Sequence, residues 1–424
     1  MIEELYNIYL QNPAVQTDTR KLKRGDLFFA LKGPNFNGNA FAKNAVESGA
    51  GFVVIDEEKY QIPGKTILVD DVLDSLQQLA LFHRKQFNIP FIAITGSNGK
   101  TTTKELINAV LSTTLHTYTT EGNLNNHIGV PLTILKIKPD AQIAVIEMGA
   151  NHLKEIESYC KIALPTHGLI TNCGKAHLEG FGGIEGVKKG KGELFDFLKA
   201  TNGTAFIMSD YSYLKSMSKG ISKIIEYGTM NADITGDVAK NGSFLNVNMH
   251  KGLNGLIKTQ LVGEYNLPNV LAAVAIGKEF GIVDKNIISA IEKYTPSNSR
   301  SQLIRDGNNQ IILDAYNANP SSMKLAIENL ASQEASKKVL MLGGMAELGT
   351  DSLNEHAGII DLIKKNNWEK VVLVGGDFLK IHHPFLSFKN SAEAKTWYQR
   401  QKFQETVILI KGSRSMQMEK VLEP

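Results

Sequence analysis

The sequence predicts an α/β protein of three domains. Its 424 residues are more than one hydrophobic core usually organises. Short continuous apolar runs alternate with helical patterns along most of the chain, which is typical of parallel sheets covered by helices. This rhythm changes near Pro90 and again near Pro296, so we expect domains at residues 1–88, 89–296 and 297–424.

The first domain is predicted to be a small α/β unit. Its strands are expected at residues 27–31, 52–55 and 67–69, each of which is a short apolar run. Helical patterns lie around residues 41–48 and from 73 to 87, and the second of these leads into the proline at the boundary.

The central domain is predicted to contain a buried parallel sheet with an antiparallel addition. Continuous apolar runs at residues 91–95, 143–147 and 169–172 suit parallel strands that are covered on both faces. Between Ala232 and Val262 polar and apolar residues alternate with glycine breaks, which is typical of antiparallel strands. Two helical patterns between residues 267 and 293 close the domain.

The third domain is predicted to be a second doubly wound, Rossmann-like unit. Apolar runs at residues 311–313, 339–342, 371–374 and 407–410 are the expected strands. The segments between these strands are long enough to hold a helix, as in a β-α-β series, so we expect a largely parallel sheet here as well.

Composition and charge exclude several classes of protein. Hydrophobic residues make up 42% and charged residues 21%, which is globular composition. The net charge is +3 without a dense Lys/Arg run, so no nucleic-acid partner is expected. No apolar run approaches the ~20 residues that cross a bilayer, and the chain begins with an acidic segment, so we expect a cytoplasmic protein without membrane insertion. We also expect a monomer. The two cysteines, Cys160 and Cys173, are expected to be core thiols rather than a disulfide.

A glycine-rich loop follows the first strand of the central domain. It reads Gly96-Ser97-Asn98-Gly99-Lys100-Thr101-Thr102, and its last residues open a helix. Glycines let the backbone approach phosphates, Lys100 can reach the terminal phosphate, and the Thr101 hydroxyl can ligate Mg²⁺. Ile94 stands where the full phosphate-loop signature has glycine, so the loop is a variant. A plain glycine turn is the alternative, but it does not explain a lysine followed by three threonines.

Two more polar residues follow strands of the same predicted sheet. Glu147 ends one strand, at the edge where open α/β sheets bind ligands, and is a candidate Mg²⁺ ligand. His177 lies in a glycine-rich stretch after the next strand, where a metal ligand or an acid–base group could sit. A solvated glutamate and a structural histidine remain the alternatives.

Six separated motifs occur in order along the chain. They are Thr17-Asp18-Thr19-Arg20 with Gly25-Asp26-Leu27-Phe28, the phosphate loop, Gly122-Asn123-Leu124-Asn125-Asn126 with Gly129-Val130-Pro131-Leu132-Thr133, Glu147-Met148-Gly149, Asp314-Ala315-Tyr316-Asn317-Ala318-Asn319-Pro320, and Lys411-Gly412-Ser413-Arg414-Ser415-Met416. Together they resemble the Mur ligases, which build the peptide of bacterial cell-wall precursors. The resemblance runs through all three predicted domains.

This resemblance implies ATP-dependent amide formation with two Mg²⁺ ions. ATP activates a substrate carboxylate as an acyl phosphate, and an amine then displaces phosphate. By resemblance, Lys100, His177 and Lys191 are catalytic, Thr101 and Glu147 hold one metal, and His177 and Glu147 surround the second. The lysine at the position of Lys191 is carbamylated in the family, and its carbamate ligates Mg²⁺. By spacing alone Lys191 would be a surface lysine.

The resemblance also assigns residues to the nucleotide. Asn269, with Asn266 more weakly, matches an ATP-contacting motif, although Tyr265 and Pro268 depart from the usual pattern there. Arg300 and Asp314 look like groups that reach ATP after domain closure. Without the resemblance, the two asparagines would be read as a helix cap and a helix-surface amide. Arg300 would be read as a surface charge and Asp314 as a strand-end carboxylate.

Substrate contacts at the two ends of the chain follow in the same way. Thr17, Asp18 and Arg20 resemble the part that holds the uridine nucleotide of the precursor, although Asp18 could equally start a turn. Lys411, Ser413 and Arg414 follow a buried strand and are candidates for binding a carboxylate or phosphate, with a glycine turn as the alternative. The stretch Gly343-Gly344-Met345-Ala346-Glu347-Leu348-Gly349, followed by His356, is a weaker candidate for contact with the amine.

Within the family, the motifs favour the member that adds D-alanyl-D-alanine to UDP-N-acetylmuramoyl-tripeptide. The chain lacks the Asp-Asn-Pro-Arg stretch of the member that adds the third amino acid to UDP-N-acetylmuramoyl-dipeptide. Folylpolyglutamate synthases share the last two domains but lack this kind of N-terminal nucleotide domain. A non-catalytic nucleotide-binding protein of the same fold remains an alternative, which the presence of Lys100, Glu147, His177 and Lys191 disfavours.

Overall fold

The computed structural model describes residues 2–239, 244–297 and 299–423. Three main sheets of four, nine and six strands follow one another along the chain, and helices cover them. The predicted three-domain α/β architecture is confirmed. Among the described residues, no helix is long and apolar enough to cross a membrane.

The first sheet is parallel throughout, with strand order β1-β2-β5-β6. The strands and the short hairpin β3–β4 are β1 Val15–Gln16, β2 Leu27–Phe29, β3 Lys32–Gly33, β4 Phe36–Asn37, β5 Phe52–Ile55 and β6 Thr66–Leu68. The helices are α1 Ile2–Gln11, α2 Ala42–Glu47 and α3 Val72–Arg84. All three strands expected from the sequence are present, and the two-residue β1 is too short to give a pattern.

Helix α3 fastens this unit to the central one. Its last residue, Arg84, donates from Nε to the Ala163 carbonyl at 2.7 Å and from Nη2 to the Leu164 carbonyl at 3.0 Å. The guanidinium lies 3.6 Å from the centre of the Phe91 ring. The buried apolar residues of the two units also form one continuous cluster, so the two units share one interior.

The central sheet has the order β15-β14-β13-β12-β11-β10-β7-β9-β8. Its strands are β7 Phe91–Thr95, β8 Thr117–Thr119, β9 Ile143–Glu147, β10 His167–Ile170, β11 Thr204–Met208, β12 Lys223–Gly228, β13 Ile234–Ala239, β14 Asn246–Lys251 and β15 Gly255–Lys258. Strands β7 to β13 pair with one another in parallel, β14 pairs antiparallel to β13, and β15 pairs antiparallel to β14. The predicted antiparallel addition is therefore present, although residues 240–243 of that segment lie outside the described residues.

Helices cover both faces of this sheet. They are α4 Lys100–Leu111, α5 Gly129–Leu135, α6 Glu155–Ala163, α7 Leu178–Phe181, α8 Ile184–Ala200, α9 Ser212–Met217, α10 Leu267–Glu279 and α11 Asp284–Lys293. Helix α10 is almost entirely buried and packs against α4, the helix that begins at the glycine loop. The helix that begins at the loop is thus packed against a buried, apolar helix.

The last sheet has the order β16-β17-β21-β18-β19-β20 and is parallel except for β16. Its strands are β16 Gln302–Asp306, β17 Asn309–Asp314, β18 Lys337–Gly343, β19 Lys370–Val374, β20 Leu386–Phe388 and β21 Thr406–Lys411. The helices are α12 Pro320–Ser332, α13 Ser352–Lys364 and α14 Ser391–Gln399. This is the Rossmann-like unit that the sequence predicts, and the ends of β17 and β21 face the central unit.

Candidate active site

The glycine loop joins β7 to α4 and has the backbone of a phosphate-binding turn. Gly96 and Gly99 have φ angles of +144° and +80°, which side chains of L residues rarely allow. A Cβ on Gly96 would lie 2.0 Å from the Thr171 hydroxyl. The amide of Asn98 donates to the Asn172 side-chain oxygen at 3.1 Å, and Thr171 donates to the Asn98 carbonyl at 2.6 Å. The conformation of the loop is therefore fixed by hydrogen bonds with Thr171 and Asn172, which follow β10.

Lys100 folds back across this loop. Its Nζ atom donates to the Gly96 carbonyl at 2.6 Å. Burial lowers the pKa of the Lys100 ammonium, and the nearby Glu147 carboxylate acts in the opposite direction. A partly desolvated cation that shares its protons with a loop carbonyl can transfer those hydrogen bonds to a phosphate.

Glu147 is buried at the end of β9, with 1% of its surface exposed. One carboxylate oxygen accepts from the Thr101 hydroxyl at 3.2 Å and from the Asn125 side-chain amide at 2.8 Å. The other oxygen, Oε2, is buried without a hydrogen-bond partner among the described residues. A buried carboxylate with an unsatisfied oxygen beside a phosphate-loop hydroxyl fits an Mg²⁺ ion.

The donor set also agrees with the way proteins hold Mg²⁺. The described residues contain no group of three or more His, Cys, Asp or Glu side chains that could hold a metal by themselves. Mg²⁺ characteristically takes one or two carboxylates and completes its shell with phosphate oxygens and water. The solvated-glutamate alternative for Glu147 is wrong, because the strand end lies beneath the loop that carries Asn125.

His177 lies between β10 and α7 in a left-handed conformation, with φ +53°. Its Nδ1 atom lies against the carboxylate of Glu347, which comes from the third unit and also has a left-handed backbone, φ +61°. This contact with His177 holds the pKa of the Glu347 carboxyl below its usual range. The histidine therefore sits where the central and C-terminal units meet.

Lys191 is buried in α8, and the surface-lysine interpretation is wrong. Only 1% of the residue is exposed, because this face of α8 packs against the short helix α7 and the central sheet. Its Nζ atom donates to the Ala150 carbonyl at 2.9 Å and lies 5.1 Å from the Phe181 ring centre. Burial, assisted by the charge of Lys100, lowers the pKa of Lys191 to about 7. A large fraction of this amine is therefore neutral at physiological pH.

Asn269 is part of the floor of the phosphate loop. A Cβ on Gly99 would lie 2.7 Å from its side-chain oxygen, which accepts from the Thr103 hydroxyl at 3.0 Å. The Asn269 amide nitrogen donates to the Asn266 side-chain oxygen at 2.8 Å. Both asparagines are buried, so the helix-surface interpretation of Asn269 is wrong.

A cavity of about 660 Å³ opens between the central and C-terminal units. Thr101 and Glu105 line it from the central unit, and Arg300, Tyr316 and Arg414 line it from the other side. The Arg300 guanidinium lies 3.5 Å from the centre of the Tyr316 ring. The structure therefore places Arg300 beside the phosphate loop rather than on the free surface.

Asp314 and Lys411 form an ion pair at the carboxyl ends of the neighbouring strands β17 and β21. The Lys411 ammonium donates to Asp314 Oδ2 at 2.6 Å, and Asp314 Oδ1 accepts from the Ser301 amide at 3.1 Å. The Ser413 hydroxyl donates to the Gly344 carbonyl at 2.7 Å. Three residues of the last motif were candidates for anion binding. Arg414 lines the cavity, whereas Lys411 and Ser413 are engaged in hydrogen bonds within the C-terminal unit.

His356 and the N-terminal motif are engaged in local structure. His356 is fully buried, and it accepts from the Met345 amide at 3.0 Å while its other nitrogen lies 2.7 Å from the Ser352 carbonyl. It is thus not available to a substrate. Asp18 starts the turn Thr19–Lys21, as the alternative interpretation held, and accepts from the Arg20 amide and guanidinium. These hydrogen bonds lower the pKa of Asp18 to about 2. Thr17 precedes this turn.

Sequence reasoning did not single out Asn125, Glu347 or Tyr316 as site residues. All three belong to motif stretches of the sequence, so the signal was present. Their roles depend on contacts with Glu147, His177 and Arg300, which are distant in sequence.

Comparison with known proteins gives a consistent result over the whole chain. Family models match for the Mur ligase family catalytic domain at residues 13–84, the Mur ligase middle domain at 94–277 and the Mur ligase glutamate ligase domain at 299–414. The UDP-N-acetylmuramoyl-tripeptide–D-alanyl-D-alanine ligase of Bacillus subtilis is 35% identical over 422 residues, covering 96% of this chain and 92% of the relative. The ligase of the same name from Escherichia coli is 35% identical, with 99% and 95% covered.

Solved structures agree. A crystal structure of MurF from Acinetobacter baumannii has a TM-score of 0.88 at 30% identity and covers 100% of this chain and 97% of that one. MurF from Thermotoga maritima in complex with ADP has a TM-score of 0.86 at 26% identity, with 97% and 96% covered. With the buried Glu147 beside the phosphate loop and matching models in all three units, the chain belongs to the Mur ligase family.

Proposed function

We propose that this protein is an ATP-dependent ligase that adds D-alanyl-D-alanine to UDP-N-acetylmuramoyl-tripeptide during the synthesis of bacterial peptidoglycan precursors. The observation that carries the proposal is the buried Glu147 with one unsatisfied oxygen beside Thr101 and Lys100. Relatives with this activity in their names match 96% or more of the chain at 35% identity. We place the reaction in the cytoplasm and infer that the chain works as a monomer.

The reaction proceeds in two balanced steps. A carboxylate oxygen of the acceptor peptide attacks the γ-phosphorus of ATP, and the bond to the β-phosphate oxygen breaks, giving an acyl phosphate and ADP. The amine of the dipeptide then attacks the acyl carbon, phosphate leaves with the bonding electrons, and the amine loses a proton. Both steps concentrate negative charge, so stabilisation by fixed cations and amides accounts for much of the catalysis.

The residues of the loop serve the first step. The backbone amides of Gly99 to Thr101 hold the phosphates, since those of Ser97 and Asn98 donate to Asn172. Lys100 moves its hydrogen bonds from the Gly96 carbonyl to the transferred phosphoryl group. Thr101 and Glu147 would hold one Mg²⁺ ion, which neutralises charge on the phosphate oxygens. Ser97, Asn98, Thr102 and Asn269 shape the loop, and Arg300 and Asp314 approach the nucleotide from the C-terminal unit.

Lys191 and His177 serve the second metal position in this proposal. A neutral Lys191 amine can attack CO₂ and lose a proton, which replaces a cation with an anionic carbamate. The lowered pKa, about 7, supplies that neutral amine. The carbamate oxygens, with His177 and Glu147, would hold the second Mg²⁺ ion. Lys191 is buried, and its amine donates to the Ala150 carbonyl. This environment favours a role in the site over that of a solvated surface lysine.

We further propose residues 1–88 as the precursor-binding domain, 89–296 as the ATP-binding domain and 297–424 as the ligase domain. Thr17, Asp18 and Arg20 are proposed contacts of the uridine nucleotide. Arg20 is exposed, and its pairing with Asp18 orders the guanidinium. No contact with nucleic acid or insertion into a membrane is expected.

The test is phosphate release from ATP with defined acceptor and amine pairs. UDP-N-acetylmuramoyl-tripeptide with D-alanyl-D-alanine should give turnover, while single amino acids or glutamate should not. Turnover confined to UDP-N-acetylmuramoyl-dipeptide with a diamino acid would instead identify the ligase that adds the third residue. Absence of phosphate release with every pair would favour the non-catalytic alternative.

A further inference from the structure

The linker between the central and C-terminal units holds Arg300 in an unusual backbone. Its neighbours Ser299 and Ser301 have φ angles of +56° and +49°. In this left-handed region the Cβ of an L residue crowds the following carbonyl, so the backbone is strained at both residues. Neither residue is glycine, so contacts with the surrounding structure must maintain the conformation.

Three hydrogen bonds supply these contacts. The Ser299 carbonyl accepts from the Tyr316 amide at 3.1 Å, and the Ser301 amide donates to Asp314 at 3.1 Å. The Ser301 hydroxyl lies 2.9 Å from the Tyr265 hydroxyl, and either can donate. The first two partners belong to the C-terminal unit and Tyr265 to the central unit. Ser301 therefore connects the two units at the base of Arg300.

Tyr265 is itself fixed in place. It lies in the short turn Glu264–Asn266. Asn269, three residues beyond the end of this turn, contacts the phosphate loop at Gly99. Gly263 before it has φ +96°, and a Cβ there would lie 2.3 Å from the Tyr265 ring. Only glycine lets the ring fold back over the chain in this way. Burial raises the pKa of Tyr265, so its hydroxyl stays protonated.

Arg300 depends on this arrangement for its direction. Its guanidinium lies over the Tyr316 ring, 3.5 Å from the ring centre, and faces the cavity that Thr101 also lines. An arginine side chain has many rotamers, so a fixed backbone and an aromatic partner decide where its charge is found. Releasing the backbone would let the charge move away from the loop.

We propose that Tyr265 and Ser301 are positioning residues for the nucleotide, whose mutual hydrogen bond fixes the left-handed linker so that Arg300 faces the phosphate loop. The inference rests on the proposed function in one respect, that ATP occupies this cavity. Loss of one hydrogen bond of about 1 kcal/mol corresponds to about a fivefold change in an equilibrium constant.

The test is equilibrium binding of a non-hydrolysable ATP analogue with Mg²⁺ to the full chain. Tyr265→Phe removes only the hydroxyl and should weaken binding about fivefold. Ser301→Ala removes the same bond from the other side and should give the same loss. Tyr118→Phe is the matched control, because the Tyr118 hydroxyl donates to exposed Asp140 at 2.9 Å. It should bind as the unchanged protein does.

A double-mutant cycle shows whether the effect passes through Arg300. In an Arg300→Ala background, Tyr265→Phe should cause no further loss, because coupled residues are not additive. Unchanged binding by Tyr265→Phe, or a loss of equal size in the Arg300→Ala background, would overturn the inference. Because binding of the analogue requires no amide formation, a failure of dipeptide turnover would affect the proposed function alone.

Discussion

Asn98 of the phosphate loop and Asn319 at the start of α12 are joined by a hydrogen bond of 2.7 Å from the Asn319 amide to the Asn98 side-chain oxygen. Asn319 also caps α12, since its own oxygen accepts from the Ser322 amide at 3.0 Å. Next to this pair the Lys175 amide donates to the Ser321 hydroxyl at 3.0 Å. The C-terminal unit therefore touches the phosphate loop itself, so domain closure and the shape of the loop are linked.

Asn319→Ser should loosen closure without weakening α12. Serine is as good a helix cap as asparagine but is too short to reach Asn98, so one hydrogen bond of about 1 kcal/mol is lost and the open population rises about fivefold. Small-angle scattering with ATP and precursor should show a larger mean radius than for the unchanged protein. If the variant and the unchanged protein gave identical scattering profiles, both with and without ligands, closure would not depend on this bond.

Glu147→Gln should abolish Mg²⁺-dependent nucleotide binding. Glutamine keeps the shape and one oxygen for Thr101 and Asn125 but has no charge for the metal, so kcat/KM should fall on the order of 10²-fold or more. Nucleotide affinity measured with Mg²⁺ and with a chelator should become equal. Glu121→Gln is the control, because Glu121 is exposed and pairs with Lys136. A variant that still responds fully to Mg²⁺ would rule out Glu147 as a ligand.

Lys191 should carry a carbamate. At pH 8 its amine is mostly neutral, because its pKa is about 7. Carbon-labelled bicarbonate should therefore give a carbamate signal by NMR that Lys191→Ala lacks, and that variant should lose activity. Lys188→Ala, on the same helix and paired with Glu185, should keep both. A carbamate signal of unchanged strength in Lys191→Ala would assign the modification to another amine.

His167 should make the protein sensitive to acid. Burial lowers its pKa from 6.5 to about 4, although the Glu279 carboxylate opposes this. Between these pH values the unfolded chain binds a proton that the folded chain does not, so stability present at pH 7 is lost as the pH falls, by at most roughly 3 kcal/mol. Urea unfolding of His167→Gln should show a smaller loss between pH 7 and pH 5. Exposed His382→Gln should retain the full loss, and an equal loss in both variants would exclude His167 as the cause.

The sequence predicted the three-domain α/β fold and most strands of the sheets correctly. Short apolar runs such as residues 143–146 predict strands because a strand covered on both faces is apolar along its whole length. Strands β8, β11, β12, β16 and β20 were not predicted. Exposed or half-buried residues such as Lys223 break the apolar pattern of β12, whereas β11 is a fully buried apolar run that the prediction missed.

The phosphate loop was determined by the sequence alone, because glycine spacing, a lysine and the helix start are local features of consecutive residues. Which side chains meet across the site was decided only by the tertiary structure. Lys191 looked like a surface lysine until α8 packed against its neighbours, and the Asn98–Asn319 and His177–Glu347 contacts join different domains. Such contacts depend on how separate units pack, and packing is fixed by surfaces formed from residues far apart in the chain.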